Sequence, residues 1–149
     1  MHQYKWKIKK TRPNAKMPEL GNLGDRCYDL FCAEEQEVII LPGKRRLINA
    51  GLIFELPDGF SFILKSRSGL AVKGIDVEAG VIDNSYRGEI KILLHNSTTW
   101  IFPVRPGDKI AQGKLEQNIY CTPEWAEEVS ETERGEGGFG STDCRASNV

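Results

Sequence analysis

Five short stretches hold residues whose types and spacing suit phosphate or proton chemistry. Arg134–Thr142, RGEGGFGST, has four glycines in nine residues. Glycines such as Gly140 expose backbone N–H groups to an anion, the Arg134 guanidinium offers a two-pronged donor, and Ser141 and Thr142 add hydroxyls. Phe139 presents a flat apolar face on which a nucleobase can stack. A mobile linker is the competing reading. A Walker A loop is excluded, because no lysine stands in a GxxxxGK[ST] frame. Lys65–Ala71, KSRSGLA, follows an expected strand and opens a short helix over Ser68–Val72. Free N–H groups at a helix start, with Arg67 and Ser68 beside them, make an anion site; the alternative is an N-cap serine next to a solvated arginine.

The third stretch, Gly80–Gly88, predicts a β-hairpin whose tip carries Asp83 and Tyr86, with Val81 and Ile82 leading in. A carboxylate at a strand end can orient a water and accept its proton. An Asx-type turn, in which Asp83 bonds its own backbone, is the other reading. Gly107–Gln112 is a turn leading into a strand, with Gln112 facing either a ligand or solvent. Tyr28-Asp29-Leu30 sets a carboxylate between two apolar residues, and alternation turns it away from them. Taken singly, each signal is weak.

Strands must position these groups, since period-2 patterning dominates the chain. Tyr4, Trp6 and Ile8 alternate with Lys5, Lys7 and Lys9, which reads as a half-buried strand rather than a nucleic-acid arm. Further strands are expected over Val38–Leu41, Leu47–Leu56, Phe60–Leu64, Glu89–His95, Trp100–Val104 and Ile110–Ile119. Pro57-Asp58-Gly59 is a strong turn signal. Besides Ser68–Val72, only the acidic Glu124–Glu133 has helical potential. Many short strands between turns indicate an all-β sandwich, barrel or jelly roll.

Composition narrows the classes further. A chain of 149 residues is one domain's length, and 40% hydrophobic with 28% charged residues describes a globular protein. Twenty basic residues against 21 acidic ones leave a net charge of -1, which argues against a nucleic-acid partner. No apolar run nears the ~18 residues of a membrane span, so no membrane partner is expected. Cys27, Cys32, Cys121 and Cys144 form no CxxC, and with only His2 and His95 beside them no zinc pattern emerges. Reduced thiols suit a reducing compartment.

In order and together, the five stretches resemble the motifs of the homotrimeric dUTP diphosphatase (dUTPase) family, most specifically AGVIDNSYRGEI and RGEGGFGST. The resemblance implies a jelly-roll-like β-barrel over 1–133 and a C-terminal tail, 134–149, that closes over an active site. It implies a homotrimer with three shared sites. One subunit gives the Gly80–Gly88 hairpin, a second gives Asp29, Ser66–Gly69 and Gln112, and a third lends Arg134–Thr142. The implied reaction is hydrolysis of dUTP to dUMP and pyrophosphate by water attack on the α-phosphorus, which keeps uracil out of DNA and supplies dUMP for thymidylate synthesis. Asp83 matches the water-activating aspartate and Tyr86 the tyrosine packed against deoxyribose. Backbone groups near Gly80, Val81 and Lys91 would read uracil, with thymine's methyl excluded by the hairpin. Arg67, Ser68, Gly69 and Gln112 would hold phosphates, together with Mg²⁺ bound by phosphate oxygens and water and with no direct protein ligand. Arg134 would reach the γ-phosphate, Phe139 would cover the base, and Asp29 would support the tail and the metal's water shell. The family setting is cytoplasmic, or the host's cytoplasm or nucleus for a viral member.

This chain departs from the family pattern at Cys27, where glycine is usual, at Lys65-Ser66, and at Gly113-Lys114 after Gln112. The dCTP deaminases share the fold and trimer but carry a catalytic glutamate where this chain has Leu93. A non-catalytic module that senses nucleotide is the second alternative.

Overall fold

The computed structural model describes residues 4–138, which fall into two compact units divided between Ile119 and Tyr120. The first holds every regular element: β1 (Lys7–Lys10), β2 (Glu19–Leu20), β3 (Tyr28–Phe31), β4 (Val38–Ile40), β5 (Arg45–Asn49), β6 (Leu52–Glu55), β7 (Phe60–Lys65), α1 (Ser68–Ala71), β8 (Ile75–Glu78), β9 (Val81–Ile82), β10 (Lys91–Asn96), β11 (Phe102–Val104) and β12 (Lys109–Gln117). The protein is all-β, as the strand patterning predicts, and jelly-roll-like, as the family resemblance implies. Every pairing is antiparallel. The largest sheet runs β2-β3-β12-β7-β9, a second runs β5-β10-β8, and β1-β6 and β11-β4 are two-stranded.

Alternation explains which faces are buried. Ile92 and Leu94 of β10 point inward to join Ile48, Phe54, Phe62 and Ile110 in one core. Trp6, partly buried, stacks on Phe62 at a ring-centroid distance of 5.1 Å and approaches Phe54 at 4.7 Å. The buried Asn96 is satisfied on both sides: its amide donates to the Ile40 and Trp100 carbonyls at 2.9 and 2.8 Å, and its Oδ1 accepts from Thr98. Such an amide fixes one packing, because a rotated alternative would strand buried polar atoms.

Three expectations need correction. Leu47–Leu56 is two strands, since Gly51 turns between them at φ +69° with Ala15 and Ala33 packed too close for any Cβ. A strand at Ile75–Glu78 went unforeseen. Glu124–Glu133 forms no helix: residues beyond Tyr120 that are described hold only one bend and one turn, and Trp125 and Val129 are fully or nearly fully exposed. With no apolar face to bury, that segment has nothing to stabilise a helix. Among the described residues no helix is long and apolar enough to cross a membrane.

Candidate active site

Three of the five stretches meet through sheet register. On β12, Gln112 lies opposite Asp29 of β3 on one side and opposite Lys65 of β7 on the other. Residues far apart in sequence therefore share one end of three neighbouring strands. The chain leaves β7 through Ser66 and Arg67 into α1. The Gln112 side-chain amide donates to the Ser66 carbonyl at 3.0 Å, and Ser66 Oγ accepts from the Val77 N–H at 2.8 Å. The two contacts tie Ser66 to both sheets, through Gln112 of β12 and Val77 of β8.

Asp29 organises the cations beside it. Its Oδ1 accepts from Arg67 Nε at 3.0 Å and its Oδ2 from Lys109 Nζ at 2.8 Å, while its own side chain is only 13% exposed. Arg67 Nη1 also reaches the Lys109 carbonyl at 3.3 Å. One carboxylate thus pairs with two cations, and the three side chains together keep an excess positive charge. Arg67 is the N-cap of α1 with no side-chain cap bond, so Ser68 is not the capping serine and its hydroxyl is exposed. The first amides of a helical turn have no internal partner, which adds donors at Ser68 and Gly69. Asp29, Arg67, Ser68, Gly69 and Gln112 line one cleft of about 390 Å³, joined by Asp25, Arg26 and Cys27. That volume lies within the range of small-ligand sites.

The aspartate and tyrosine of the third stretch sit elsewhere. The hairpin exists, but its paired arms are β8 and β10, with Leu93 opposite Glu78, and Gly80–Gly88 belongs to the long loop between them. Within that loop β9 crosses to pair with β7, and the Gly80 carbonyl accepts from Leu64 N–H at 2.7 Å. Gly80, at φ +129°, has Leu64 Cβ 2.9 Å from where its own Cβ would lie, so only glycine fits. The Ala79 beside it is the one non-glycine with positive φ among the described residues, at 59°. Strain of this kind persists only where the surroundings enforce it.

Asn84 ties the tip down by donating to the Pro57 carbonyl at 2.6 Å. The Asp83 carbonyl accepts from Tyr86 N–H at 3.1 Å, closing a turn. The Asp83 carboxylate is exposed and takes no hydrogen bond among the described residues, so it forms no Asx turn. Tyr86 lies on Gly88, where an added Cβ would come 2.4 Å from the ring, and its Oη donates to the Glu89 carbonyl at 3.1 Å. Its outer face stays open, at 43% exposure. Neither Asp83 nor Tyr86 lines the Asp29–Arg67 cleft. Lys91, exposed, opens β10 opposite Asn49.

In the second unit, Arg134 closes a turn by donating from Nε to the Gly137 carbonyl at 2.8 Å. Phe139, Gly140, Ser141 and Thr142 lie outside the described residues. Cys27, Cys32 and Cys121 are free thiols, and burial pushes the Cys32 thiol up from its ordinary value. Sequence reasoning gave Lys109 no role, and no local pattern signals one, because its partner Asp29 is eighty positions away.

The fold is that of a jelly-roll-like all-β protein, and its cleft sets Arg26 and Arg67 beside the amide donors of Ser68, Gly69 and Gln112. The dUTPase family model matches residues 13–143, and the chain belongs to that family, the deoxyuridine 5′-triphosphate nucleotidohydrolases. The chain is 43% identical over 141 residues to the nucleotidohydrolase of that name from Nautilia profundicola, covering 93% of this chain and 98% of that protein. It is 42% identical over 145 residues to the one from Clostridium tetani, covering 95% and 99%. Among solved structures, the dUTPase of Staphylococcus bacteriophage 80alpha with dUpNHpp superimposes at a TM-score of 0.85. That protein is 28% identical, with 92% of this chain and 97% of the phage chain covered.

Proposed function

We propose that this enzyme hydrolyses dUTP to dUMP and pyrophosphate in sites assembled from three copies of the chain. The observation that carries the reading is a separation: one cleft gathers the phosphate-binding groups, while the exposed Asp83 and Tyr86 project from a loop that does not line it. A single chain offers half-sites, and a second copy would bring hairpin and cleft face to face. Arg67, Ser68, Gly69 and Gln112 then hold the triphosphate. Asp83 orients a water toward the α-phosphorus and takes its proton as the bond to the bridging oxygen breaks and pyrophosphate leaves. Tyr86 bars a 2′-hydroxyl, and the groups around Gly80, Val81, Ile82 and Lys91 face the base. The tail from 134 to 149 closes over the site, with Arg134 on the γ-phosphate, Phe139 over uracil, and Gly140, Ser141 and Thr142 toward phosphate.

The donor set fits a Mg²⁺ ion carried on the nucleotide. Both Asp29 oxygens are engaged by cations, and among the described residues no three His, Cys, Asp or Glu side chains cluster to ligate a metal. Such an ion keeps most of its water and supplies charge neutralisation at the phosphates. Asp29 would border that water shell while fixing Arg67.

The test is Asp83→Asn. The amide keeps the size but cannot accept the water's proton, and general-base catalysis is worth about 10²–10⁴-fold. Pyrophosphate release from dUTP with Mg²⁺ should fall by that range while titration with a non-hydrolysable analogue gives near wild-type affinity. Turnover near wild type would place the base elsewhere.

A further inference from the structure

Beyond Tyr86 the chain passes through Gly88 to Glu89, whose side chain turns back onto the N-terminal segment. Arg12 Nε donates to Glu89 Oε1 at 2.5 Å, Arg12 Nη2 donates to Oε2 at 3.3 Å, and Thr11 Oγ1 donates to Oε1 at 2.9 Å. The ion pair is partly shielded, with side chains 32% and 21% exposed. Hydrogen bonding from Arg12 holds the Glu89 carboxyl below its ordinary range, outweighing the desolvation that pushes it up.

Arg12 is braced in turn. Its Nη1 lies 3.6 Å from Glu34 Oε2, and Glu34 Oε1 accepts from the Asn49 backbone at 2.8 Å and from its side-chain amide at 2.7 Å. Thr11 N–H donates to the Gly51 carbonyl at 2.9 Å. On the far side, the Glu89 carbonyl receives the Tyr86 hydroxyl, and Ile90 N–H donates to the Leu52 carbonyl at 2.7 Å. A continuous line of contacts therefore runs from β5 through Glu34, Arg12 and Glu89 to the Tyr86 ring.

We propose that Arg12, aided by Thr11, is a positioning residue for sugar selection: it fixes Glu89 so that the Glu89 carbonyl holds the Tyr86 ring where a 2′-hydroxyl has no room. This rests on the reading of Tyr86 as the wall against ribose. A wall excludes one oxygen atom only if it does not tilt, and a half-exposed tyrosine on a surface loop is fixed only by what anchors it. The Tyr86 ring has two anchors, the Gly88 backbone beneath it and the Glu89 carbonyl at its tip. Arg12 lies just ahead of the residues matched by the family model.

The experiment compares kcat/KM for dUTP and UTP in the wild type, Arg12→Ala, Arg12→Lys, Glu89→Gln and Tyr86→Ala. Arg12→Ala should lower the dUTP/UTP ratio by about tenfold, chiefly by raising UTP hydrolysis, the scale expected when a small group is no longer excluded. Arg12→Lys keeps the charge with fewer donors and should fall between. Incorporated 3-fluorotyrosine gives an independent readout: the Tyr86 ¹⁹F resonance, assigned by its loss in Tyr86→Phe, should shift or broaden in Arg12→Ala. If Arg12→Ala fails to fold, Glu89→Gln carries the same two measurements, since it weakens the clamp and keeps the carbonyl. A relaxed ratio in Tyr86→Ala with ratio and resonance unchanged in the clamp variants overturns the role of Arg12 alone. An unchanged ratio in Tyr86→Ala overturns the wall itself, and this inference with it.

Discussion

Asp29 shows how one residue does several jobs by geometry alone. Its two oxygens accept from cations on different elements, Arg67 after β7 and Lys109 at the start of β12. Charge-assisted bonds of this kind are the strong ones; with Nε on Asp29 and Nη1 on the Lys109 carbonyl, Nη2 is left for the proposed phosphate contact. Replacing the carboxylate by an amide keeps the shape but turns an NH₂ group toward one cation and removes the charge that holds both. Asp29→Asn should therefore loosen Arg67, raising KM for dUTP by about tenfold with a smaller loss in kcat, the signature of weakened binding in ground and transition state alike. Steady-state kinetics on dUTP decides it. An unchanged KM would mean that the Lys109 carbonyl alone suffices to aim Arg67.

Strand elements explain one departure from the family pattern. On β12, Gly113 sits opposite Leu64 of β7, and a Cβ there would lie 2.2 Å from the Phe62 ring and 2.9 Å from the Ile63 carbonyl. The Phe62 ring crosses β12 at the space glycine leaves, and Trp6 stacks on it from β1's side. Gly113→Ala should cost about 1–3 kcal/mol through overpacking. Thermal or chemical unfolding would show the loss, Trp6 fluorescence would shift, and adding Phe62→Leu should recover part of the stability. Equal stability of Gly113→Ala and wild type would refute the packing account. Other elements were readable directly: the alternation of Ile90, Ile92 and Leu94 marks β10, and Pro57-Asp58-Gly59 turns as expected, with Phe60 N–H donating to the Pro57 carbonyl at 3.2 Å. The break at Gly51 was hidden because apolar residues continue through it, and only the close approach of Ala15 and Ala33 demands a glycine there. The β8 strand is too short to show a period. Residue types marked Asp29, Arg67 and Gln112 as candidates, but their meeting depends on which strands are neighbours, and Lys109 and Arg12 were missed because each acts on a partner distant in sequence.

At the scale of the whole molecule, the single chain leaves large apolar side chains in water, among them Leu41, Leu47, Trp100 and Ile101. Exposed apolar surface of this kind suits burial against further copies. The proposed trimer with shared sites makes a sharper demand on the tail, which in that reading serves a site whose hairpin belongs to another subunit. Four glycines between Arg134 and Thr142 make that segment costly to order, at roughly 1–2 kcal/mol of backbone entropy per residue. In the proposed site, nucleotide contacts through Arg134 and Phe139 offset that cost, so the tail should close only on a loaded site. Removing residues 134–149 should leave the trimer folded but nearly inactive. Asp83→Asn, with its tail intact, should be inactive for the separate reason that it lacks the base. Co-refolding the two chains yields mixed trimers, which native mass spectrometry can verify. Some sites in them combine an intact Asp83 from the truncated chain with an intact tail from the other, and those sites should turn over dUTP. Verified mixed trimers with no activity above either parent would mean that each tail closes on its own subunit's hairpin, and the three-chain site would fall.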